Sequence, residues 1–144
     1  MEFHDRSILR VCDLIDLPKI ADPRGNLTFV ENGSLIPFTL QRVYFLYAVP
    51  KDTARGFHAH RQLEQILIAL NGSFEVLLDD GHQRKTVTLD RPDRGLYVGP
   101  MVWHEMASFS PGAICLVLAS MCYDEKDYIR SYDEFDKLVK EKYS

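Results

Sequence analysis

A pair of histidines, His58 and His60, ends the segment Arg-Gly-Phe-His-Ala-His. In an extended strand, residues two positions apart face the same way and lie roughly 6.5 Å apart along the chain. An imidazole has an ordinary pKa of about 6.5, so either ring can accept or donate a proton near neutral pH. We therefore expect the two rings to project together and to act as acid–base groups. An exposed pair without a chemical role is the alternative.

A third histidine, His104, follows a Gly-Pro segment, and Glu64 follows His60 after three residues. This order is the two-part cupin pattern, in which many proteins bind a metal through three histidines and one glutamate. A transition-metal site is therefore the competing interpretation. The second half of the pattern departs from the metal-binding form, because no glycine lies between Pro100 and His104 and Ser108 stands where an asparagine is usual. We expect no metal.

Tyr44 and Arg42 lie two residues apart on a predicted strand and should share one face. A phenol can donate to a developing oxyanion, although packing in the barrel wall is the alternative for Tyr44. Arginine binds phosphate oxygens through its planar fork. Arg24, in the turn Asp-Pro-Arg-Gly, is the first candidate to bind an anionic ligand, and Arg42 and Arg55 are lesser candidates. A solvated surface charge is the alternative for each.

Trp103 is the only tryptophan and precedes His104 in a predicted barrel strand. It either lines a sugar pocket or packs in the core. Glu64 is expected to orient a histidine by accepting a hydrogen bond from it. The neighbouring Gln65 is expected to face outward without a chemical role.

The elements that must position these residues are short strands separated by turns. Predicted strands span residues 26–31, 40–49, 63–70, 74–79, 85–89 and 113–120. Asn71-Gly72 between two apolar runs predicts a β-hairpin, because these residues tolerate the positive φ angles of a type I′ turn. So many strands at this spacing favour a sandwich or barrel.

The C-terminal segment has a different pattern and predicts one amphipathic helix over about residues 132–142. Ser131 and Glu134 have the spacing of a capping box. Apolar and aromatic side chains then recur near the helical period, at Tyr132, Phe135, Leu138, Val139 and Tyr143. We expect this helix to have a structural role, packed on the barrel or on a second subunit.

The bulk composition excludes several classes of protein. A chain of 144 residues suits one domain, and its net charge of −4 provides no basic surface for nucleic acid or an anionic membrane. The cysteines Cys12, Cys115 and Cys122 lack metal-binding spacing and predict free thiols in a reducing compartment. The N-terminus has no apolar signal core, and no apolar run reaches membrane length. These features predict a cytoplasmic protein.

Several segments in order resemble one family, the dTDP-4-keto-6-deoxyglucose 3,4-ketoisomerases. The resemblance covers about residues 16–136. It includes Asp22-Pro23-Arg24-Gly25-Asn26-Leu27, Arg55-Gly56-Phe57-His58-Ala59-His60, Leu63-Glu64-Gln65, Val102-Trp103-His104-Glu105-Met106, Tyr123-Asp124-Glu125 and Asp127-Tyr128-Ile129-Arg130.

The resemblance implies an all-β cupin (jelly-roll) barrel with a short C-terminal helix, no metal or other cofactor, and a dTDP-linked keto sugar as substrate. It also implies a homodimer whose N-terminal strands can extend to the partner subunit, and a role in deoxyamino sugar biosynthesis. The resemblance places catalytic histidines at His58 and His60. The predicted site therefore comprises the catalytic groups His58, His60 and Tyr44 and the substrate-binding groups Arg24, Arg42, Arg55, Trp103, His104 and Glu64.

The expected reaction moves a ketone from C4 to C3 of a hexose. It needs a base near C3, an acid near C4 and donors that stabilise the enediolate, but no redox cofactor. Two adjacent imidazoles favour this reaction over a 3,5-epimerisation, which relies on one histidine and a tyrosine on opposite faces of the sugar. A 3,5-epimerase, a metal-dependent cupin enzyme and a sugar-binding cupin without activity are the alternatives.

Overall fold

The computed structural model describes the backbone of residues 4–143 and the side chains of residues 9–142. Its strands are β1 (His4–Leu9), β2 (Cys12–Asp16), β3 (Lys19–Asp22), β4 (Gly25–Thr28), β5 (Arg42–Leu46), β6 (Arg55–His60), β7 (Gln65–Asn71), β8 (Phe74–Asp79), β9 (Arg84–Leu89), β10 (Arg94–Val98), β11 (Trp103–Ala107), β12 (Ile114–Ala119) and β13 (Tyr128–Ile129). A 3₁₀ turn, Glu125–Asp127, precedes β13, and helix α1 (Tyr132–Tyr143) follows it.

Two antiparallel sheets face each other. One has the strand order β1-β2-β10-β7-β12-β5, and the other has the order β13-β6-β11-β8-β9. The strands β3 and β4 form a separate hairpin. This jelly-roll arrangement confirms the predicted all-β cupin barrel with one C-terminal helix.

The main core lies between the two sheets, where inward-facing aliphatic and aromatic side chains of both meet. Its buried members include Leu67, Ala69, Phe74, Val76, Leu78, Leu96, Val98 and Val117. The strand β7 is buried on both faces, because Ile66 and Ile68 pack into a second cluster with Ile15, Leu17 and Ile36. A strand covered on both faces needs a continuous apolar run, and the sequence of β7 provides one.

The turn at Asn71-Gly72 corrects one prediction. The strands β7 and β8 that flank it do not pair, because β7 pairs with β10 and β12 whereas β8 pairs with β9 and β11. Gly72 has φ of +65°, as a turn of this composition requires. The chain uses that turn to cross between sheets. The next turn, at Asp80-Gly81, does close a hairpin, in which Asp79 pairs with Arg84.

Helix α1 confirms the helix predicted from the C-terminal pattern. The Ser131 hydroxyl accepts a hydrogen bond from the backbone N–H of Glu134 at 3.3 Å, as an N-cap should. Phe135 and Val139 are fully buried against Trp103 and Ile129. The helix therefore covers the outer face of the sheet that contains β6 and β11. Within residues 4–143, no helix is long and apolar enough to span a membrane.

Candidate active site

Three imidazole rings meet inside the barrel, at His58 and His60 on β6 and His104 on β11. The antiparallel pairing of these strands sets His104 opposite His58. The ring centroid of His58 lies 4.9 Å from that of His60 and 4.6 Å from that of His104. His60 and His104 are each 2% exposed, while His58 is half-buried. The expectation that the HxH pair projects to one side is therefore confirmed.

His60 is held by a buried carboxylate. Its Nδ1 lies 3.0 Å from Oδ2 of Asp127. That oxygen also accepts the backbone N–H of Leu63 at 3.3 Å, and Oδ1 accepts the backbone N–H of Gln62 at 2.7 Å. A carboxylate only accepts, so the Nδ1 of His60 carries the proton. The Nε2 atom is buried, has no hydrogen-bond partner and presents its lone pair. The pairing of Tyr128 with His60 between β13 and β6 brings Asp127 to this position.

His58 has the same tautomer for a similar reason. Its Nδ1 lies 3.1 Å from the carbonyl oxygen of Gly56, and its buried Nε2 has no partner. A bulge in β6 makes this contact, because Glu105 pairs with Gly56 whereas the preceding His104 pairs with His58. Gly56 and Phe57 both have positive φ, at +94° and +62°. The pair therefore offers two unprotonated ring nitrogens to the barrel interior.

His104 belongs to a chain of hydrogen bonds that corrects the predictions for Glu64 and Gln65. Gln65 is 2% exposed, so it faces inward, and its Nε2 lies 3.2 Å from Nε2 of His104. Its Oε1 accepts a hydrogen bond from the Tyr44 hydroxyl at 3.4 Å. Glu64 points away and accepts a hydrogen bond from Tyr97 at 2.6 Å. Gln65 is the first residue of β7, and neighbouring side chains along a strand face opposite ways. The amide of Gln65 therefore faces the histidines and the carboxylate of Glu64 does not.

Burial sets the protonation of the site. Desolvation lowers the pKa of His58, and desolvation together with the neighbouring His58 ring lowers the pKa of His60. Desolvation and the two other rings lower the pKa of His104 well below its ordinary value. Desolvation also raises the pKa of the Tyr44 phenol. At neutral pH the rings are therefore neutral acceptors and Tyr44 keeps its proton.

A cavity of about 270 Å³ opens beside His58. Its lining residues are Arg42, Tyr44, Leu46, Arg55, Gly56, His58, Met106, Tyr128 and Arg130. Arg42 and Tyr44 share this face, as predicted, and the Arg42 guanidinium lies 5.0 Å from the ring centroid of Tyr44. The Nε and one terminal nitrogen of Arg42 are buried without a hydrogen-bond partner. The combination of cationic forks and neutral imidazoles suits a ligand with an anionic end.

The segment after β12 brings residues to the cavity and the histidines to which the sequence analysis assigns no role. Arg130 lines the cavity, and both of its contacts to Glu125 are short, at 2.8 and 2.9 Å. Tyr128 packs on both His58 and His60, with ring centroids 5.0 and 4.5 Å away. The resemblance to the ketoisomerases includes this segment, and the density of charged and aromatic residues after the last long strand is a second signal that could have found them.

Five predicted site residues do not line this cavity: His60, His104, Glu64, Trp103 and Arg24. His60 and His104 still contact His58, whereas Trp103 and Arg24 lie away from the histidines. Trp103 packs beneath α1, with ring centroids 5.4 Å from Tyr132 and 6.0 Å from Phe135, and its indole N–H donates to Glu105. Of the two alternatives for Trp103, the structure shows packing in the core. Successive strand residues face opposite ways, and His104 faces the barrel interior. Arg24 lies in the turn of the β3–β4 hairpin, where its side chain is 91% exposed and pairs with Asp22 at 2.8 Å.

Comparisons with known proteins agree with this geometry. Residues 10–140 match the family model described as FdtA: WxcM-like, C-terminal. The chain is 52% identical over 126 residues to the TDP-4-oxo-6-deoxy-alpha-D-glucose-3,4-oxoisomerase of Aneurinibacillus thermoaerophilus, covering 88% of this chain and 91% of that one. Both the matched span and the identity are large enough to show the family.

Solved structures give the same result. A histidine-to-asparagine variant of the 3,4-ketoisomerase QdtA from Thermoanaerobacterium thermosaccharolyticum, in complex with TDP-4-keto-6-deoxyglucose, superposes with a TM-score of 0.92 at 44% identity and covers 94% of this chain and 98% of that one. The 3,5-epimerase RmlC of Legionella pneumophila shares the fold, with a TM-score of 0.77 at 15% identity over 90% of this chain and 77% of that one. The chain is therefore an isomerase that belongs to the FdtA family of cupin-fold sugar-nucleotide 3,4-ketoisomerases.

Proposed function

We propose that this chain converts TDP-4-keto-6-deoxyglucose to a TDP-3-keto-6-deoxyhexose, with His58 and His60 moving the protons. The observation that carries the proposal is the pair of rings with centroids 4.9 Å apart, each with a buried Nε2 that has no hydrogen-bond partner. A 1,2 transposition of a ketone needs two proton-transfer groups near adjacent carbons, and this pair supplies them.

The steps follow from the two neutral rings. One imidazole Nε2 takes the C3 proton, and the C3–H electron pair forms the C3–C4 double bond while the C4 oxygen becomes an oxyanion. The enediolate then collapses toward C3, and a proton returns to C4 from an imidazolium. The C3 hydroxyl proton moves to the former C4 carbonyl oxygen, so no electron acceptor is required.

Asp127 is the positioning residue for His60. Its carboxylate holds the Nδ1–H at 3.0 Å, which fixes the ring and stabilises the imidazolium once Nε2 has taken a proton. Tyr44 remains a proton donor throughout because burial raises its pKa. Its hydroxyl is 3.4 Å from Gln65, a long hydrogen bond that a developing oxyanion can displace.

The anionic end of the substrate would lie among Arg42, Arg55 and Arg130 at the cavity wall. Arginine forks suit a diphosphate, and Arg42 has buried nitrogens without a partner. His104 would support His58 instead of touching the sugar, since the two ring centroids are 4.6 Å apart and both nitrogens of His104 are hydrogen-bonded within the protein.

Incubation of the protein with TDP-4-keto-6-deoxyglucose in deuterated water, followed by NMR of the product, tests the reaction. We expect the ketone at C3 and deuterium at C4. Deuterium at C3 and C5 with the ketone still at C4 would instead identify an epimerase, and no exchange at any ring carbon would leave only sugar binding.

We also propose that the chain acts as a homodimer with exchanged N-terminal strands. A groove of about 700 Å³ runs between the β3–β4 hairpin and the outer face of the six-stranded sheet, apart from the histidine cavity. Its lining includes exposed apolar side chains, Val43 at 50%, Leu70 at 45% and Phe29 at 38%. A patch of this kind favours a second copy of the chain as its occupant. In such a dimer, the exposed Arg24 would reach the cavity of the partner.

A cytoplasmic location suits this function, because the described cysteines Cys12, Cys115 and Cys122 are free thiols. The product would enter deoxyamino sugar synthesis for O-antigen or S-layer glycans.

A further inference from the structure

The three histidines meet one requirement of a transition-metal site. Each offers a ring nitrogen, and these nitrogens lie within 4.8 Å of one another. Neutral imidazoles are common ligands of zinc, nickel, copper and cobalt, and a site with three of them needs only water or a carboxylate to complete it. Many proteins of the cupin fold hold a metal with a glutamate in addition. Whether this chain fits a metal depends on that further ligand and on the lone pairs of the rings.

No carboxylate is placed to complete such a site. Oε1 of Glu64, the acidic residue that the sequence pattern offers, accepts the Tyr97 hydroxyl at 2.6 Å. Tyr97 packs with the second hydrophobic cluster, on the side of β7 away from the histidines. Among residues 9–142, no aspartate or glutamate joins the group that the three histidines form.

Gln65 occupies the place beside the cluster and presents an amide. Its Nε2 lies 3.2 Å from Nε2 of His104, while the Nδ1 of His104 faces the carbonyl oxygen of Val102 at 3.3 Å. Nδ1 therefore carries the ring proton, and the Nε2 lone pair accepts the amide N–H of Gln65. The unprotonated Nε2 of His104 fixes the orientation of the amide, because only the amide nitrogen can donate to it, and Oε1 is then left to accept from the Tyr44 hydroxyl.

A metal bound to Nε2 of His104 would have to break this hydrogen bond. Gln65 is 2% exposed, so its freed N–H would be left without water or another acceptor, which is costly. The amide also supplies no negative charge to offset the charge of a divalent cation. The residues present therefore do not fit a metal.

We propose that Gln65 keeps the three-histidine cluster from binding a divalent transition metal, and that glutamate at this position would convert the cluster into a metal site. The amide uses the lone pair of His104 and leaves those of His58 and His60 for proton transfer. A carboxylate would remove the competing N–H donor and add an anionic oxygen ligand.

Cobalt(II) titration of the full-length protein, stripped of metal beforehand, tests this inference through visible ligand-field absorption and calorimetry. Gln65→Glu should bind cobalt at least about 100-fold more tightly than the natural chain, with an absorption band typical of four or five ligands. Gln65→Leu removes the donor without adding a ligand and should gain about tenfold. Glu64→Gln is the matched control and should leave cobalt affinity unchanged.

Equal cobalt affinity in the natural chain and both Gln65 variants would overturn the proposal, and so would a gain of cobalt affinity in Glu64→Gln as large as that in Gln65→Glu. Circular dichroism checks that each variant folds. If Gln65→Glu does not fold, the cobalt affinity of Gln65→Leu tests the proposal. The readout is metal binding, so this result is independent of whether the isomerase reaction is confirmed.

Discussion

At the scale of single residues, the site depends on where the ring protons lie. The carboxylate of Asp127 and the carbonyl of Gly56 each hold an Nδ1–H, which leaves Nε2 of His60 and of His58 with a lone pair that can accept a proton. Spacing alone predicted this pair and its shared face. It did not predict Asp127, because that carboxylate is 67 residues away and arrives through a two-residue strand pairing that leaves no periodic signal.

Replacing either reacting ring should separate chemistry from binding. His58→Asn and His60→Asn should each reduce turnover at least about 100-fold, because a proton-transfer group contributes about 10²- to 10⁴-fold. The dissociation constant for TDP should change little, since the proposed diphosphate contacts lie elsewhere. Steady-state kinetics and calorimetry measure both, and full activity in both variants would contradict the assignment.

Asp127 should act through His60 and not on the substrate. Asp127→Asn keeps the shape but lets an amide N–H face the ring, which favours the other tautomer. We expect kcat to fall about 10- to 100-fold with KM nearly unchanged. A KM effect as large as the kcat effect would instead mean a role in substrate binding.

The buried histidines should also make stability depend on pH. The pKa values of His60 and His104 are lowered in the folded chain from an ordinary value of 6.5. Above that pH both states are neutral, so stability is flat. As pH falls below it, the unfolded chain takes up protons that the native chain refuses, and stability should fall by about 1.4 kcal/mol per pH unit for each ring.

Denaturant unfolding between pH 7 and pH 5 measures this slope. His104→Gln should reduce it by about 1.4 kcal/mol per pH unit and leave the contribution of His60, whereas His82→Gln, in an exposed turn, should leave it unchanged. An equal slope in all three proteins would mean that other groups cause the pH dependence.

At the scale of elements, the site depends more on which strands pair than on where the strands lie in the sequence. The apolar runs predicted most of the longer strands, and the capping box and periodicity predicted α1. Which strands pair with each other was harder to predict, as Asn71-Gly72 shows. A turn signal specifies local φ angles but not whether the next strand stays in the same sheet. The sequence also does not specify which side chains of a strand face the barrel interior. The roles of Trp103 and Gln65 could not be predicted for that reason.

The bulge at Gly56 links an element to the chemistry. Gly56 has φ of +94°, and a Cβ there would lie 3.0 Å from the carbonyl oxygen of His104. Gly56→Ala should therefore lose about 1–2 kcal/mol of stability from its backbone conformation and also displace His58, with a fall in kcat. Thermal unfolding and turnover measure the two effects.

Gly33→Ala is the matched control, since Gly33 has φ of +86° with nothing within 4 Å of its added Cβ. It should lose a similar amount of stability and keep its turnover. A loss of turnover as large as that of Gly56→Ala would show that backbone strain alone, and not the bulge, affects the site.

At the scale of the whole molecule, the proposed dimer gives Arg24 a role that one chain does not provide. Arg24→Ala should then weaken TDP binding, and its defect should be rescued in trans. A mixture of Arg24→Ala and His58→Asn subunits, unfolded and refolded together, should regain about a quarter of the natural activity, because half of the dimers contain one intact site. No recovery in the mixture would mean that each cavity uses its own chain alone.

The order in which the strands pair has a consequence for how the protein is made. Strand β7 must wait for β10 and β12, and β6 receives its last neighbour only from β13. Such long sequence separations make folding slow, typically milliseconds to seconds. On the ribosome, Asp127 emerges after His58, His60 and His104, so the carboxylate that fixes the His60 ring is added only after the strands that carry the histidines. The same order means that a truncation just before residue 127 would remove Asp127, whose carboxylate holds His60, and the strand β13 that places it. Most of the barrel strands would remain.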